Sequence, residues 1–396
     1  EMKRSLAAER MKEIPGSGIR EVFNKALRLE AKGVKVINFG VGRPNFDTPR
    51  HIKEAAMEAM DKGMVHYTPN AGMPRLLEAL TAHLKEYKGL AYDSKKEIMA
   101  TGGGQEAMYL SLSAFLEPGD EILVPDPGYS QFTSCIRLAG GIPVPIPLLE
   151  EENFAPDLEV AGRLVTDRTR GIIVNSPQNP TGGVMTADQI REVCRFAKER
   201  DLVLFSDEAY DRILYDGAEF VSPAAMEEMK ERTVIWGSLS KTYSMTGWRI
   251  GYLAAPADLV EAAVRVQQNI LLSICSFAQA GAIAALEGPQ ECVEEMVEKF
   301  DERRKLVLDA ISACPGLECT TTPKGAFYVF VRFDVPGMDC RKVADLLLEK
   351  GGVALVPGVT FGRRGEGYLR LSYATSFEEC RIGMERITRV MKELLG

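Results

Sequence analysis

Short apolar runs recur along this chain at intervals that leave room for a helix between them. Ile122-Leu123-Val124, Ile172-Ile173-Val174, Leu202-Val203-Leu204-Phe205 and Val234-Ile235-Trp236 lack the polar alternation of a half-exposed strand. Unbroken runs of this length suit strands buried on both faces of a parallel sheet. Between the second and third runs, Ile190, Val193, Cys194 and Ala197 recur at helical spacing and predict a crossover helix. Leu76, Leu77, Leu80 and Leu84 line one face of an earlier helix, and a short strand over Glu97–Thr101 leads through glycines into a helix over 104–116. Strand–helix–strand repetition from residue 50 to about 285 predicts a doubly wound α/β unit.

The flanking pattern differs. A polar leader is followed by Val22, Phe23, Ala26 and Leu27 at helix spacing, then by a strand-like Val34–Phe39 and a glycine- and proline-rich loop over Gly40–Pro49. After the repeated unit come a charge-rich helix over 288–313, strands at 326–332 and 353–356, and a terminal helix over 375–395. The predicted fold class is therefore α/β: a three-layer α/β/α large domain with a mostly parallel sheet, plus a smaller α+β domain. The expected division is an N-terminal segment over 1–45 that partly joins the small domain, a large domain over 46–290, and a small C-terminal domain over 291–396.

Composition narrows the class. A chain of 396 residues with 45% hydrophobic and 26% charged residues is globular and long enough for more than one domain. Its 48 basic and 56 acidic residues give a net charge of −8, which argues against nucleic acid as the main partner. The eight cysteines form no CxxC pair, as expected for reduced thiols in a cytoplasmic protein. The start, Glu1-Met2-Lys3-Arg4, lacks an apolar signal region, and runs such as Ala282–Leu286 are too short to span a membrane. With only His51, His66 and His83, and no acidic cluster at ligand spacing, no metal is expected.

The chemistry-bearing residues fall at the ends of the predicted strands, where open α/β sheets bind ligands. Ser238-Leu239-Ser240-Lys241 follows Val234–Trp236 and continues to Gly247-Trp248-Arg249. Lys241 is either a solvated surface charge or an amine able to form a Schiff base, and Ser238, Ser240 and Arg249 can hold a phosphate. Asp207 and Tyr210 follow Leu202–Phe205. Either the acidic pair Asp207-Glu208 caps the next helix, or Asp207 pairs with a protonated ring nitrogen while Tyr210 donates to a ring oxygen. Asn179, between Pro177 and Pro180, sits in a turn-rich connection that can also aim its amide into the same crevice. Gly102-Gly103-Gly104-Gln105 is neither a P-loop nor a dinucleotide fingerprint. It is a tight strand–helix turn that can expose backbone N–H groups to an anion. Tyr129, at the start of the next predicted helix, is an ordinary amphipathic aromatic or a stacking surface. Arg370, among apolar strand residues, calls for an anion: an internal carboxylate or a substrate's.

Taken in order, Gly42-x-Pro44-x-Phe46-x-Thr48-Pro49, Asn179-Pro180-Thr181-Gly182, Ser206-Asp207-Glu208 and Ser238-x-Ser240-Lys241 through Arg249 closely resemble the pyridoxal-phosphate-dependent aminotransferases of class I/II, the aspartate aminotransferase superfamily. The similarity runs from Ile19 to Ala374. It implies an aspartate aminotransferase-like fold whose large domain binds pyridoxal 5'-phosphate. Lys241 corresponds to the lysine that joins the cofactor and later moves the substrate's α-proton, and Asp207 to the partner of the pyridine nitrogen. Tyr210 and Asn179 match donors to the ring's phenolic oxygen, and Tyr129 the stacking aromatic. Gly104 and Gln105 match backbone phosphate binders, with Ser238, Ser240 and Arg249 completing that pocket. Tyr67 resembles the tyrosine that reaches a neighbouring subunit's phosphate, so a homodimer with shared active sites is implied. Arg370 and the Gly42 backbone match the α-carboxylate site.

The implied activity is transfer of an amino group from an L-amino acid, aspartate or aromatic, to a 2-oxo acid such as 2-oxoglutarate. A lyase or decarboxylase on the same fold, or a non-catalytic ligand-binding protein, are the competing classes. One departure stands out: Arg43 occupies a position where relatives commonly carry an acidic residue. It faces solvent, binds an internal acid or meets a substrate's distal carboxylate, a group for which Gln267–Leu272 offers no basic residue.

Overall fold

The computed structural model describes residues 5–396; the Glu1–Arg4 start lies outside the described residues. An eight-stranded sheet runs in the spatial order Ile98–Thr101, Gly251–Ala254, Thr233–Ser238, Val203–Asp207, Thr169–Asn175, Glu121–Asp126, Ile142–Leu149 and Ala155–Pro156. Neighbours from Thr233–Ser238 to Ile142–Leu149 are parallel, whereas Gly251–Ala254 is antiparallel to both strands beside it. The sheet is therefore mostly parallel, as the apolar runs predicted. The inserted antiparallel strand was not anticipated, because its four residues carry no distinctive period.

Alternation along the central strands explains the three layers. Phe205 and Trp236 point to one face, where they meet Ala107, Met108 and Leu110 of the helix Gly104–Phe115 and Val260 and Ala263 of Ala257–Ile270. Leu204 and Val174 point to the other face, against Ile190, Val193 and Ala197 of Ala187–Glu199. Ile235 joins Leu76, Leu77, Leu80 and Leu84 of Pro74–Lys88 on that second side. Both faces are covered, so a polar residue is affordable only at the strand tips. The crossover helix begins with a reciprocal cap in which Thr186 and Gln189 satisfy each other's backbone N–H groups.

A second, antiparallel sheet runs in the order Leu317–Glu318, Tyr328–Phe333, Tyr368–Ser372 and Val356–Pro357. The helices Glu291–Ala313, Cys340–Gly351 and Phe377–Leu395 contribute to the core packed on it. The strand expected over 353–356 divides: Val353–Ala354 pairs in parallel with Ile37–Asn38, and Val356–Pro357 turns to join Tyr368–Ser372. The Ser372 N–H then donates to the Phe39 carbonyl at 2.7 Å. Those bonds tie the loop after Phe39 to the second sheet and deliver Gly40–Gly42 to the crevice between the two sheets. In the helix Gly18–Glu30 only Val22 and Ala26 are buried; Phe23 and Leu27 of the predicted apolar face are exposed. No helix among the described residues is long and apolar enough to cross a membrane.

Candidate active site

Thr101, Asn175, Asp207 and Ser238 end four strands at one edge of the large sheet. Asn175 is in register with Asp207, and Ser238 lies opposite Gly251, which also faces Thr101. Gly251 is required by close approach: a Cβ there would lie 2.6 Å from the Gly103 carbonyl carbon, the Gly104 nitrogen and the Gly237 oxygen. The glycine turn can thereby lie against the sheet and start the helix Gly104–Phe115 at the strand tips. The N–H groups of that helix's first turn have no intrahelical acceptor and offer an anion site.

A cavity of about 250 Å³ opens at this edge. It brings together Gly42, Gly104, Gln105, Tyr129, Asn179, Asp207, Tyr210, Ser238, Ser240, Lys241, Arg249 and Arg370. Residues from four separate strand ends and from the second sheet thus share one space. Tyr129 lies in the turn before the helix Gln131–Leu138 rather than at its start, and its hydroxyl donates to the Gln105 side-chain oxygen at 3.2 Å. Two sequence-marked residues lie elsewhere. Tyr67 is 84% exposed and does not line the cavity. Arg43 is exposed and lines an adjoining cavity that shares Thr246 and Arg249 with the first.

Lys241 follows the strand Thr233–Ser238, and its amine donates to the Gly42 carbonyl. Burial, with the Arg370 and Arg249 charges, pushes that amine down to about 8. Asp207 accepts the Ala209 N–H at 3.1 Å. Burial pushes its carboxyl up to about 7, against the pull of that hydrogen bond and of Lys241. A cavity-lining carboxyl in this state is suited to a cationic partner. Tyr210 lies under the Lys241 amine, 5.9 Å from ring centre, and its hydroxyl shares a 2.7 Å hydrogen bond with Tyr328.

Arg370 is fully buried in the strand Tyr368–Ser372. Its guanidinium donates to the Asn179 side-chain oxygen at 2.9 Å and to the Gly40 carbonyl at 2.8 Å, while its Nε has no partner. The ring of Tyr328 lies 4.4 Å from the guanidinium carbon and that of Phe361 4.9 Å. No carboxylate among the described residues pairs with it, so they offer no salt bridge to Arg370. Arg249 donates to the Thr246 and Gly102 carbonyls at 3.0 and 3.3 Å, which holds its guanidinium across the glycine turn.

Sequence patterns did not mark Asn175, Tyr328, Ile19, Met108 or Thr246 as site residues, yet all line the cavity. Asn175 donates to the Asp207 carbonyl at 3.1 Å and accepts the Asn179 N–H at 3.1 Å, joining two site loops. Its place at the head of Asn175–Thr181 was a usable signal. Tyr328 lies at the start of an apolar strand and gave none.

The cavity lies where open α/β sheets bind ligands, at the carboxyl ends of the strands. The chain belongs to the family "Aminotransferase class I and II", whose model matches residues 34–387. It is 41% identical to an aspartate aminotransferase of Pyrococcus abyssi and 40% identical to aromatic-amino-acid aminotransferase 2 of Thermococcus litoralis, each over 98% of both chains. Among solved structures, an aspartate aminotransferase of Thermus thermophilus with maleate superposes with a TM-score of 0.92 at 38% identity, covering 98% of this chain and all of that one. The protein is an aminotransferase.

Proposed function

We propose that this enzyme holds pyridoxal 5'-phosphate in the Lys241 cavity and moves an amino group from an aspartate-like or aromatic L-amino acid to 2-oxoglutarate. The carrying observation is the joint placement of the Lys241 amine and the Asp207 carboxyl in one cavity closed by Arg370, which has no carboxylate partner among the described residues and whose Nε has no partner at all. When bound, the cofactor supplies an aldehyde that accepts the amino group and an aromatic electron sink that weakens the substrate's α C–H bond.

Each residue's part follows from its chemistry. Asp207 keeps a ring nitrogen protonated, and Tyr210 and the Asn179 amide donate to the ring's phenolic oxygen. Tyr129 offers a flat face to the ring. Gly104 and Gln105 N–H groups, the Ser238 and Ser240 hydroxyls and Arg249 suit a phosphate. Lys241 bonds the cofactor through its amine. Freed from that bond, Lys241 could carry a proton from the substrate's α-carbon to the cofactor's adjoining carbon, a role favoured by an amine pushed down to about 8. Arg370 and the Gly42 backbone receive the α-carboxylate.

The donor preference draws support from relatives named for aspartate and for aromatic amino acids. A homodimer with shared sites is favoured by Tyr67, held outside its own cavity, and by exposed Val65, Ile270 and Leu271. A cytoplasmic setting fits eight unpaired cysteines. Borohydride reduction of the cofactor-loaded protein followed by peptide mapping tests the site, and covalent label on any lysine other than Lys241 overturns it. A donor and acceptor panel tests substrate choice, and analytical ultracentrifugation tests the dimer.

A further inference from the structure

The turn after the strand Val203–Asp207 presents two faces. Asp207 and Tyr210, three residues apart, line the cavity, whereas Glu208 and Asp211, also three apart, meet Lys88 on the far side. Lys88 ends the helix Pro74–Lys88, ahead of Gly89 with a φ of 65°. A lysine in a last helical turn is favoured by the carbonyl ends there and ordinarily carries its charge to water. This one turns inward instead, and its side chain is 1% exposed.

All three donors of the ammonium are used. They meet Glu208 Oε2 at 2.6 Å, Asp211 Oδ2 at 2.8 Å and the Tyr252 hydroxyl at 3.1 Å. The second Glu208 oxygen accepts from the Ser206 and Ser222 hydroxyls at 3.0 and 2.6 Å. The Glu208 N–H donates to the Trp236 carbonyl at 3.0 Å. Every polar group of Glu208 is thereby engaged. A buried ion cluster contributes little stability compared with well-packed apolar side chains, yet losing one member leaves a charge stranded. Its value here lies in geometry. Residues 208 and 211 cannot rotate without turning 207 and 210 with them.

We propose that Lys88 is a positioning residue of this aminotransferase: by clamping Glu208 and Asp211 on the outer face of the turn, it fixes where Asp207 and Tyr210 point on the inner face. The proposal rests on the roles given above to Asp207 and Tyr210. Lys88 itself touches neither substrate nor cofactor.

The test compares cofactor-loaded wild-type protein with Lys88→Met. Borohydride labelling of Lys241 is expected in both. In the variant, kcat for the amino donor should fall about tenfold or more while KM changes by less than about threefold, since a misaimed carboxylate harms the chemical step more than binding. The absorbance band of the lysine-linked cofactor should also shift, because it reports on the groups that face the ring. Glu208→Gln keeps the Lys88–Asp211 contact and should move kcat and the band the same way by less; it decides the matter if Lys88→Met does not fold. A folded, loaded variant with unchanged kcat and band, and only a lower Tm, overturns the proposal and leaves the cluster a structural ion network. Absence of label on Lys241 in the wild-type protein is a separate failure, which overturns the underlying site reading.

Discussion

Asn179 and Arg370 stand 191 positions apart in the chain and 2.9 Å apart in space, joined through the Asn179 side-chain oxygen. A guanidinium can only donate, so it takes that oxygen and leaves the amide's NH₂ as the group free to donate elsewhere. One arginine therefore does two things. It keeps a buried guanidinium whose Nε has no partner, which on the proposed function would meet a substrate carboxylate, and it sets which end of the Asn179 amide is free to donate.

Arg370→Lys should lose both effects, because an ammonium lacks the planar fork that spans Asn179 and Gly40. We expect kcat/KM to fall about 100-fold or more, and to similar extents for aspartate and phenylalanine. Steady-state kinetics with both donors is the measurement. Loss confined to one donor would place Arg370 in side-chain selection instead.

Lys241→Ala should abolish borohydride labelling and turnover with little change in the folded state. In the cofactor-free wild-type protein the amine should react as a neutral nucleophile from pH about 8 upward, since burial lowers its proton affinity. Acetylation across a pH series with peptide mapping reads this directly. Half-maximal reaction only near the ordinary lysine value of 10.5 would contradict the burial described for the site.

Asp207→Asn carries a pH-dependent signature. The folded carboxyl titrates at about 7 against an ordinary 3.8, so between those values the native state holds more protons than the unfolded one. Stability from this group is present below the unfolded value and is lost as pH rises through the folded value. Cofactor-free Asp207→Asn should thus be more stable than wild type near pH about 8, by up to about 4 kcal/mol, with the gap closing towards pH about 4. Cofactor-loaded protein should show the opposite cost in function, with α-proton removal slowed about 100-fold. Denaturant melts and stopped-flow half-reactions check the two halves.

Arg43→Gln should change kcat/KM for aspartate, 2-oxoglutarate, phenylalanine and alanine together and by less than about threefold, as expected of an exposed charge outside the Lys241 cavity. Selective loss for the two diacids would instead make Arg43 the distal-carboxylate residue.

The sequence by itself determined the parts of this protein that depend on local order. Apolar runs at Ile172–Val174, Leu204–Phe205 and Val234–Trp236 are buried from both sides, so burial wrote them into the chain without reference to any distant partner. Lys241, Asp207 and Asn179 were legible because each follows such a run within a few residues, and a strand's end is where a polar side chain can face a crevice. Tertiary structure alone decided the rest. It brought Arg370 to Asn179, and it placed Tyr328 against Tyr210 and Lys88 against Glu208 across 118 and 120 positions. It also split the predicted 353–356 strand between two sheets and kept Arg43 out of the Lys241 cavity. These are pairings between residues whose own neighbours carry no trace of them: a lysine that ends a helix reads as a solvated charge until the fold sets two carboxylates beneath it.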